Sequence, residues 1–209
     1  AVLPSSQTAF FLLFNLLAGD SGGTKRRILY PLGPEYIGYA NQGLSDGMLT
    51  ACRSELEEPV AAEFNSRVDV DRLKITPDIA AICISCPTNP TGNVLTPDEF
   101  DRLKGLARQH GIPLIVDNAY GHPFPDVIYT GFKPQWDEGM IFSISMSKVG
   151  LPGVRTSMVV AAPRIVRALA NMNAIVSLAN GNLGQAILQP LLADDTLVRL
   201  SRDVIAPFY

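Results

Sequence analysis

Five short runs of aliphatic residues, separated by stretches of helical periodicity, place the strongest constraint on the fold of this chain. Continuous apolar runs of this length are typical of strands that are buried on both faces, as in a parallel sheet. The runs are residues 28–32, 80–86, 113–116, 141–144 and 158–161. Because strands alternate with helices, the sequence predicts an α/β fold with three α/β/α layers and a mostly parallel central sheet.

Two of the intervening stretches carry the signals that begin a helix. In residues 97–110, Thr96 supplies a cap and Pro97 suits the first helical position. A second proline opens the helical pattern of residues 163–172. Residues 51–74 are more charged and less periodic, and we expect a strand with surface connections there.

Size and charge argue against several classes of partner. The chain has 209 residues, 47% of them hydrophobic, and a formal net charge of -3. It therefore forms a real core but has no basic surface for a nucleic acid. The most apolar opening segment, residues 9–18, is interrupted by Asn15 and is shorter than the roughly 20 residues of a membrane helix. We expect neither a nucleic acid nor a membrane as partner.

Cys83 and Cys86 form a CxxC pattern that has two interpretations. In redox proteins such a pair opens a helix. Here the pair lies within the apolar run at 80–86, so we interpret both residues as buried strand cysteines. That usage is typical of the reducing cytoplasm, which we take as the expected location.

The most informative candidate site is a lysine between hydroxyl groups. Ser145, Ser147 and Lys148 follow the run at 141–144, and Arg155 comes seven residues after the lysine, across a turn rich in Gly and Pro. Most lysines are solvated surface charges. A lysine becomes a nucleophile when its surroundings lower its pKa or use it in an imine. The grouping favours a lysine held for covalent work beside an anion-binding pocket.

A second group lies at the start of the chain, where Ser5 to Thr8 lead into the apolar residues 9–13. The N-terminus of a helix with small hydroxylated residues can hold a phosphate, which makes Ser6 and Gln7 candidate ligands. Ordinary N-capping by serine is the alternative.

Two more runs end in polar residues. Asn89 lies in the turn at 87–93, where its amide either binds a ligand oxygen or stabilises a rigid turn. Asp117 follows the run at 113–116, where a carboxylate needs a cationic or donating partner such as a protonated ring nitrogen, or else caps the next turn. Tyr120 comes three residues later and could reach a phenolic oxygen.

Tyr36 and Tyr39 follow the first run, in a segment that begins Pro34-Glu35. An aromatic ring at this place stacks on a flat ligand, or belongs to the core with a satisfied hydroxyl. The sequence leaves both interpretations open.

Together these groups make up the inventory that pyridoxal phosphate requires. They comprise a phosphate cradle, an aromatic ring, an amide donor, a strand-end carboxylate, a tyrosine and a lysine followed by an arginine. The chain has no GxGxxG after its first run and no GxxxxGK[ST], which disfavours a dinucleotide or a nucleoside triphosphate. His110 and His122 lack metal-ligand spacing, so no metal site is expected.

These residues resemble the fold-type I pyridoxal phosphate enzymes, the aspartate aminotransferase superfamily. Three elements occur in that family's order: Asn-Pro-Thr-Gly from Asn89, Asp-x-x-Tyr from Asp117, and Ser-x-Ser-Lys from Ser145, with Arg155 after it. Segments 34–39, 117–125, 147–153 and 171–173 are similar to the valine–pyruvate aminotransferase branch. The resemblance covers nearly all of the chain and implies the large domain of these enzymes.

The resemblance implies roles in catalysis. Lys148 would hold the cofactor through a Schiff base and move a proton between the substrate α-carbon and the cofactor C4′. Asp117 would pair with the pyridine nitrogen and keep it protonated. Tyr120 and Asn89 would hydrogen-bond the phenolic oxygen, and Tyr36 would stack over the ring.

The resemblance also implies a phosphate site. Ser6, Gln7, Ser145 and Arg155 would bind the phosphate, the arginine as a charged fork. Ser147 is a further expected ligand.

The implied activity is transamination between valine or alanine and a 2-oxo acid, in an enzyme that is a homodimer at full length. Residues 1–209 are expected to be the large domain, incomplete at both ends, without the small C-terminal domain whose arginine binds the substrate carboxylate. Three alternatives stay open. They are another enzyme of the family such as a lyase, a truncated and catalytically incompetent remnant that binds the cofactor, and a cofactor-sensing regulatory domain, for which the sequence shows no basic helical module.

Overall fold

The computed structural model describes residues 1–52, 55–56, 66–128, 133 and 135–209. Much of the strand-and-connection segment expected at 51–74 lies outside these residues. Within the described ranges the strands are, in chain order, β1 (Val2–Leu3), β2 (Gly19–Ser21), β3 (Thr24–Tyr30), β4 (Leu49–Ala51), β5 (Glu55–Leu56), β6 (Ser66–Arg67), β7 (Ile79–Ser85), β8 (Leu114–Asp117), β9 (Met140–Ser145) and β10 (Ser157–Val160).

One sheet holds eight of these strands, in the order β1-β10-β9-β8-β7-β3-β2, and β4 also pairs with β3. Its centre is parallel, because β3, β7, β8 and β9 run in one direction and β4 joins them. Antiparallel pairings lie toward both sides: β2 pairs with β3 on one, and β10 pairs with β9 and with β1 on the other. β5 and β6 form a separate two-stranded sheet. The predicted α/β fold with a mostly parallel sheet is confirmed.

The run at 158–161 is the one that departs from the prediction. It forms β10, which is antiparallel to β9, and its Val160 is 43% exposed, so this strand is not buried on both faces. The connection explains the direction. Residues 146–156 alone separate the two strands, and a parallel pair needs a crossover of about a dozen residues or more.

Helices cover both faces of the sheet. They are α1 (Ser6–Leu17), α2 (Pro97–Gln109), α3 (Pro163–Ser177), α4 (Leu183–Ala193), α5 (Thr196–Leu200) and α6 (Ala206–Phe208), with a π-helical turn at Ser201–Ile205. On one face, α1 and α3 pack against the sheet through Phe14 and Leu169. On the other, α2 contributes Leu103, and α4 and α5 contribute Leu188 and Leu197. The three predicted layers are therefore present.

The beginning of α2 is fixed as predicted. The Thr96 side chain accepts a hydrogen bond from the Glu99 N–H at 3.2 Å, and Glu99 Oε2 accepts from the Thr96 N–H at 2.7 Å. Pro97 is the first helical residue. Glu99 Oε1 also accepts from the Val68 N–H at 3.1 Å, so the same carboxylate ties α2 to the chain that follows β6.

The interpretation of the cysteines is confirmed as well. Cys83 lies within β7 and Cys86 directly after the strand, and both are buried and free. Among the helices that the described ranges contain, none has the length and apolar character needed to cross a bilayer.

Candidate functional site

The candidate residues converge on one cavity of about 310 Å³. All ten of them line it: Ser6, Gln7, Tyr36, Asn89, Asp117, Tyr120, Ser145, Ser147, Lys148 and Arg155. Ser5, Phe10, Ser85, Pro87 and Ala119 complete the lining. The individual roles of these side chains stay predictions.

This cavity lies at the carboxyl ends of the parallel strands. β7 ends at Ser85 and β8 ends at Asp117, and the two residues are direct neighbours in the register of the sheet. Asp117 is in turn opposite Ser143 of β9, whose hydroxyl donates to Ser6 Oγ at the start of α1 at 3.3 Å. Open α/β sheets bind their ligands in this crevice.

Lys148 lies in a 3₁₀ turn, Ser147–Val149, directly after β9. The turn ends at Gly150, whose φ of 88° is a conformation that favours glycine. Lys148 Nζ lies 5.0 Å from the centroid of the Tyr120 ring. A hydrogen bond with the Tyr120 side chain raises the pKa of Lys148, while burial acts in the opposite direction. The direction of this shift does not match a lysine that is activated by a lowered pKa.

Asp117 presents a buried carboxyl to the cavity. The Tyr39 hydroxyl donates to Oδ2 at 2.6 Å and the Ala119 N–H donates to Oδ1 at 3.1 Å. Burial raises the pKa of Asp117 to about 6, and these two hydrogen bonds act against the rise. The sequence left open whether Asp117 binds a ligand or caps the next turn. Its Oδ1 caps the turn by accepting from Ala119, and the carboxyl also lines the cavity.

Asp117 has no ion-pair partner within the part of the chain that the structure describes. A buried carboxylate is stabilised by an opposite charge at close range. This end of the cavity is therefore suited to a ligand that carries a cationic group.

At the start of α1, a serine caps the helix and the next two residues line the cavity, so both interpretations of residues 5–8 apply. Ser5 is the N-cap, and its Oγ accepts from the Thr8 N–H at 3.0 Å. Ser6 and Gln7 occupy the first two helical positions, where N–H groups have no carbonyl partner within the helix, and both residues line the cavity. The positive end of the helix dipole thus favours an anion here.

Arg155 adds a cation to the lining from the loop before β10. Its Nη1 donates to the Pro152 carbonyl at 3.2 Å, and its φ is 46°. Positive φ is uncommon for residues other than glycine, and such positions cluster at functional sites. The backbone here therefore adopts a strained conformation at a residue that faces the cavity.

Asn89 is held in a rigid turn after β7. The Thr88 hydroxyl donates to the Ser85 carbonyl at 2.9 Å, the Thr88 N–H to the Asn93 carbonyl at 2.8 Å, and the Gly92 N–H to the Thr88 carbonyl at 2.7 Å. None of these bonds uses the Asn89 amide. The rigid-turn interpretation therefore applies to the backbone, while Asn89 itself lines the cavity.

The sequence left open whether Tyr36 and Tyr39 stack on a flat ligand or belong to the core, and the structure places the two residues differently. Tyr36 is partly buried, lines the cavity and meets the Tyr39 ring edge to face at 5.4 Å. Tyr39 is buried, stacks on Tyr30 at 5.5 Å and donates its hydroxyl to Asp117. Tyr36 is thus available to a flat ligand, and Tyr39 is a core tyrosine with a satisfied hydroxyl.

Sequence reasoning missed two polar residues, Glu35 and Ser85. The Ser85 N–H donates to Glu35 Oε1 at 3.2 Å, and the Ser85 hydroxyl donates to Oε2. Burial raises the pKa of Glu35 to about 7; the bonds from Ser85 oppose the rise and the charge of Asp117 adds to it. A signal was present, because Ser85 ends an otherwise apolar strand and Glu35 follows closely after β3, at the edge of the sheet where ligands bind.

The chain is similar in sequence to known aminotransferases. A family model for "Aminotransferase class I and II" matches residues 49–205. The valine–pyruvate aminotransferase of Escherichia coli K12 is 45% identical over 210 residues, which covers 100% of this chain and 50% of that protein.

Solved structures of aminotransferases are similar to this chain as well. The crystal structure of valine–pyruvate aminotransferase from Salmonella typhimurium LT2 is similar with a TM-score of 0.92 at 44% identity, covering 100% of this chain and 52% of that one. Aspartate aminotransferase from Thermus thermophilus shares the fold, with a TM-score of 0.80 at 19% identity over 99% of this chain and 52% of that one. The chain spans about half the length of the relatives it matches.

Proposed function

We propose that this chain, which belongs to the class I and II aminotransferase family, is the cofactor-binding part of an enzyme that transfers an amino group between valine or alanine and a 2-oxo acid. One observation carries the proposal. Lys148, Asp117, Tyr120 and Asn89 come from the ends of three neighbouring strands, β9, β8 and β7, and line a single cavity. Residues 1–209 would form the large domain, and a small C-terminal domain would complete the enzyme.

Members of this family use pyridoxal 5′-phosphate, and the residues present fit it. The cavity volume of about 310 Å³ lies within the usual range of small-ligand sites, about 300–1,000 Å³. The lining offers a carboxyl without an ion-pair partner among the described residues, a lysine, and the N-terminus of α1 with an arginine. The carboxyl would meet the ring nitrogen, the lysine the aldehyde carbon, and the helix N-terminus with the arginine the phosphate. When bound, the cofactor supplies an electron sink for the charge left on the substrate α-carbon.

Lys148 would be the covalent anchor of the cofactor. Its Nζ would also hold the proton that leaves the substrate α-carbon and return it later in the reaction. Its Nζ lies 5.0 Å from the centroid of the Tyr120 ring, and both residues line the cavity. Tyr120 and Asn89 would donate to the phenolic oxygen.

Asp117 would hold the proton on the ring nitrogen. Its two donors, Tyr39 and Ala119, keep the carboxyl oriented, and the ring cation would lower its pKa from the raised value. Tyr36 would stack over the ring.

The phosphate would lie against the first turn of α1. Free N–H groups at Ser6 and Gln7 and the guanidinium of Arg155 supply donors and positive charge. Ser145 and Ser147 would contribute hydroxyls.

The finer aspects of the function follow from the same resemblance. The E. coli relative is named for valine and pyruvate, which supports these substrates. We infer a homodimer for the whole enzyme, a cytoplasmic location and a part in amino acid biosynthesis. Free cysteines among the described residues agree with a reducing compartment.

The test starts with covalent attachment. We expect the chain, mixed with pyridoxal phosphate and reduced with borohydride, to carry the cofactor on Lys148, located by mass spectrometry. Lys148→Ala should abolish the modification, and Lys25→Ala, at an exposed position on β3, should leave it intact. Unchanged modification in Lys148→Ala would contradict the assignment.

Activity is measured separately. L-valine and pyruvate are added to the loaded chain, and alanine is quantified. Alanine production supports transamination by these 209 residues, whereas attachment without alanine identifies a cofactor-binding remnant.

A further inference from the structure

Glu35 has no role in the proposed function, yet it is bonded to Ser85, which lines the cavity beside Asp117. It lies between β3 and a 3₁₀ turn at Ile37–Tyr39. Both of its carboxyl oxygens accept from Ser85. Glu35 therefore joins the segment that carries Tyr36 to the strand end beside Asp117.

Ser85 brings the two carboxyls into one group. It is the register neighbour of Asp117 and lines the cavity together with it. Through the bond from Thr88 to its carbonyl, Ser85 also holds the turn that carries Asn89. A change at Glu35 is thus transmitted to the ring-binding end of the cavity by direct contacts.

The surroundings of Glu35 consist of acids. The titratable groups that face it are Tyr30, Tyr39, Cys83, Cys86 and Asp117. Burial raises the pKa of each of these groups. Over the described ranges, no Lys, Arg or His forms an ion pair with Glu35 or Asp117. Two neighbouring carboxyls without a cation titrate as a coupled pair, and a cation that enters the cavity stabilises both.

We propose that Glu35 is a positioning residue that acts through Ser85 and Asp117, supplying a second negative charge behind the carboxyl that receives the cationic ring of the cofactor. The inference rests on the proposed function, because it takes Asp117 as the partner of the ring nitrogen. Glu35 does not touch the cofactor. The charges of Glu35 and Asp117 oppose each other in the empty cavity, and together they hold the cationic ring more strongly than Asp117 alone.

The first test uses the cofactor-free chain with ¹³C-labelled carboxyl groups, followed by NMR as the pH is changed. Glu35→Gln keeps an oxygen to accept from the Ser85 N–H and an amide to donate to the Ser85 hydroxyl, so it removes the charge and little else. That variant is used in the second test. The titration itself is compared with Asp117→Asn, in which we expect the midpoint of Glu35 to fall from about 7 by about half a pH unit or more, because the charge of Asp117 raises the pKa of Glu35. Glu138→Gln removes an exposed charge just before the amino end of β9 and should leave the midpoint unchanged.

The second test measures the dissociation constant of pyridoxal phosphate in the wild type and in Glu35→Gln across the pH range. We expect about fivefold weaker binding at about pH 8.5, where Glu35 is charged, and no difference at about pH 5.5, where it is protonated. A purely structural role would weaken binding equally at both pH values. Glu138→Gln serves as the control here as well.

The outcomes separate this inference from the proposed function. An unchanged Glu35 midpoint in Asp117→Asn, with cofactor attached to Lys148 in the wild type, overturns the inference and leaves the function standing. A wild-type chain that never attaches the cofactor contradicts the function, while the carboxyl titration still decides whether Glu35 and Asp117 are coupled. If Glu35→Gln does not fold, the Glu35 midpoint in Asp117→Asn decides alone.

Discussion

The hydroxyl of Tyr39 donates a 2.6 Å hydrogen bond to Oδ2 of Asp117, across 78 positions in the chain. Tyr39 belongs to the aromatic cluster beneath α1, where it contacts Phe10 and Phe14. The orientation of the carboxyl at the end of β8 therefore depends on the packing of the core. Tyr39 thus links the aromatic core to a carboxyl that lines the cavity.

Replacing Tyr39 with phenylalanine should raise the pKa of Asp117 above about 6, because the carboxylate loses a donor that stabilises its charged form. Near neutral pH more of the carboxyl is then protonated, so cofactor binding weakens and recovers as the pH rises. Dissociation constants of pyridoxal phosphate measured between about pH 6 and 9 check this expectation. Tyr30→Phe is the matched control, since the Tyr30 hydroxyl is buried without a hydrogen-bond partner among the described residues. An identical profile for both variants would contradict the prediction.

Asp117 should destabilise the cofactor-free chain at neutral pH. Its folded pKa of about 6 lies above the ordinary value of about 3.9, so the folded state binds the proton more tightly and the free energy of unfolding falls from about pH 4 to pH 6. Asp117→Asn cannot ionise and should raise the free energy of unfolding by about 3 kcal/mol at about pH 8, with almost no change at about pH 4. Urea unfolding at the two pH values measures the difference. Asp46→Asn, at an exposed position, should change the free energy of unfolding by the same amount at both pH values.

Two substitutions at Arg155 separate the effect of backbone strain on stability from the effect of the guanidinium on cofactor binding. Arg155→Ala and Arg155→Gly both remove the guanidinium, so each should weaken cofactor binding by about tenfold or more. The glycine variant should be the more stable of the two by about 1 kcal/mol, because the φ of 46° at this position suits glycine. Equal unfolding midpoints for the two variants would show that the backbone is not strained there.

Gly38→Ala should disturb Tyr36 directly. A Cβ at Gly38 would lie 2.3 Å from the Tyr36 ring, so the ring must move away from its place in the cavity lining. We expect cofactor affinity to fall several-fold. Gly105→Ala in α2 is the control, because a Cβ there meets nothing within 4 Å. That variant should gain about 0.5–1 kcal/mol of stability and bind the cofactor normally.

The sequence located the central strands because their burial on both faces leaves continuous aliphatic runs. It did not show the direction of β10, since a short apolar run looks the same in either direction and the connecting loop decides. β1, β2 and β4 were missed because two or three residues carry no periodic pattern. Their existence depends on the strands beside them.

The site was predictable to the extent that it lies at strand ends. Asn89, Asp117 and Lys148 each follow a buried run, and the carboxyl ends of parallel strands meet at one edge. The partnership of Tyr39 with Asp117, and of Glu35 with Ser85, joins residues distant in sequence. Packing fixes these contacts, and no local pattern reveals them.

The bonds that close the turn around Asn89 do not use its side-chain amide. The residues that fix the backbone of the turn are therefore not the residue that contacts the cavity. Thr88, Gly92 and Asn93 hold the backbone, while Asn89 meets the cavity. A substitution at Asn89 can thus alter what the cavity recognises without unfolding the corner that presents it. Loss of cofactor binding in an Asn89 variant would therefore report the missing amide and not a collapsed turn, which makes this position a direct probe of what the cavity recognises.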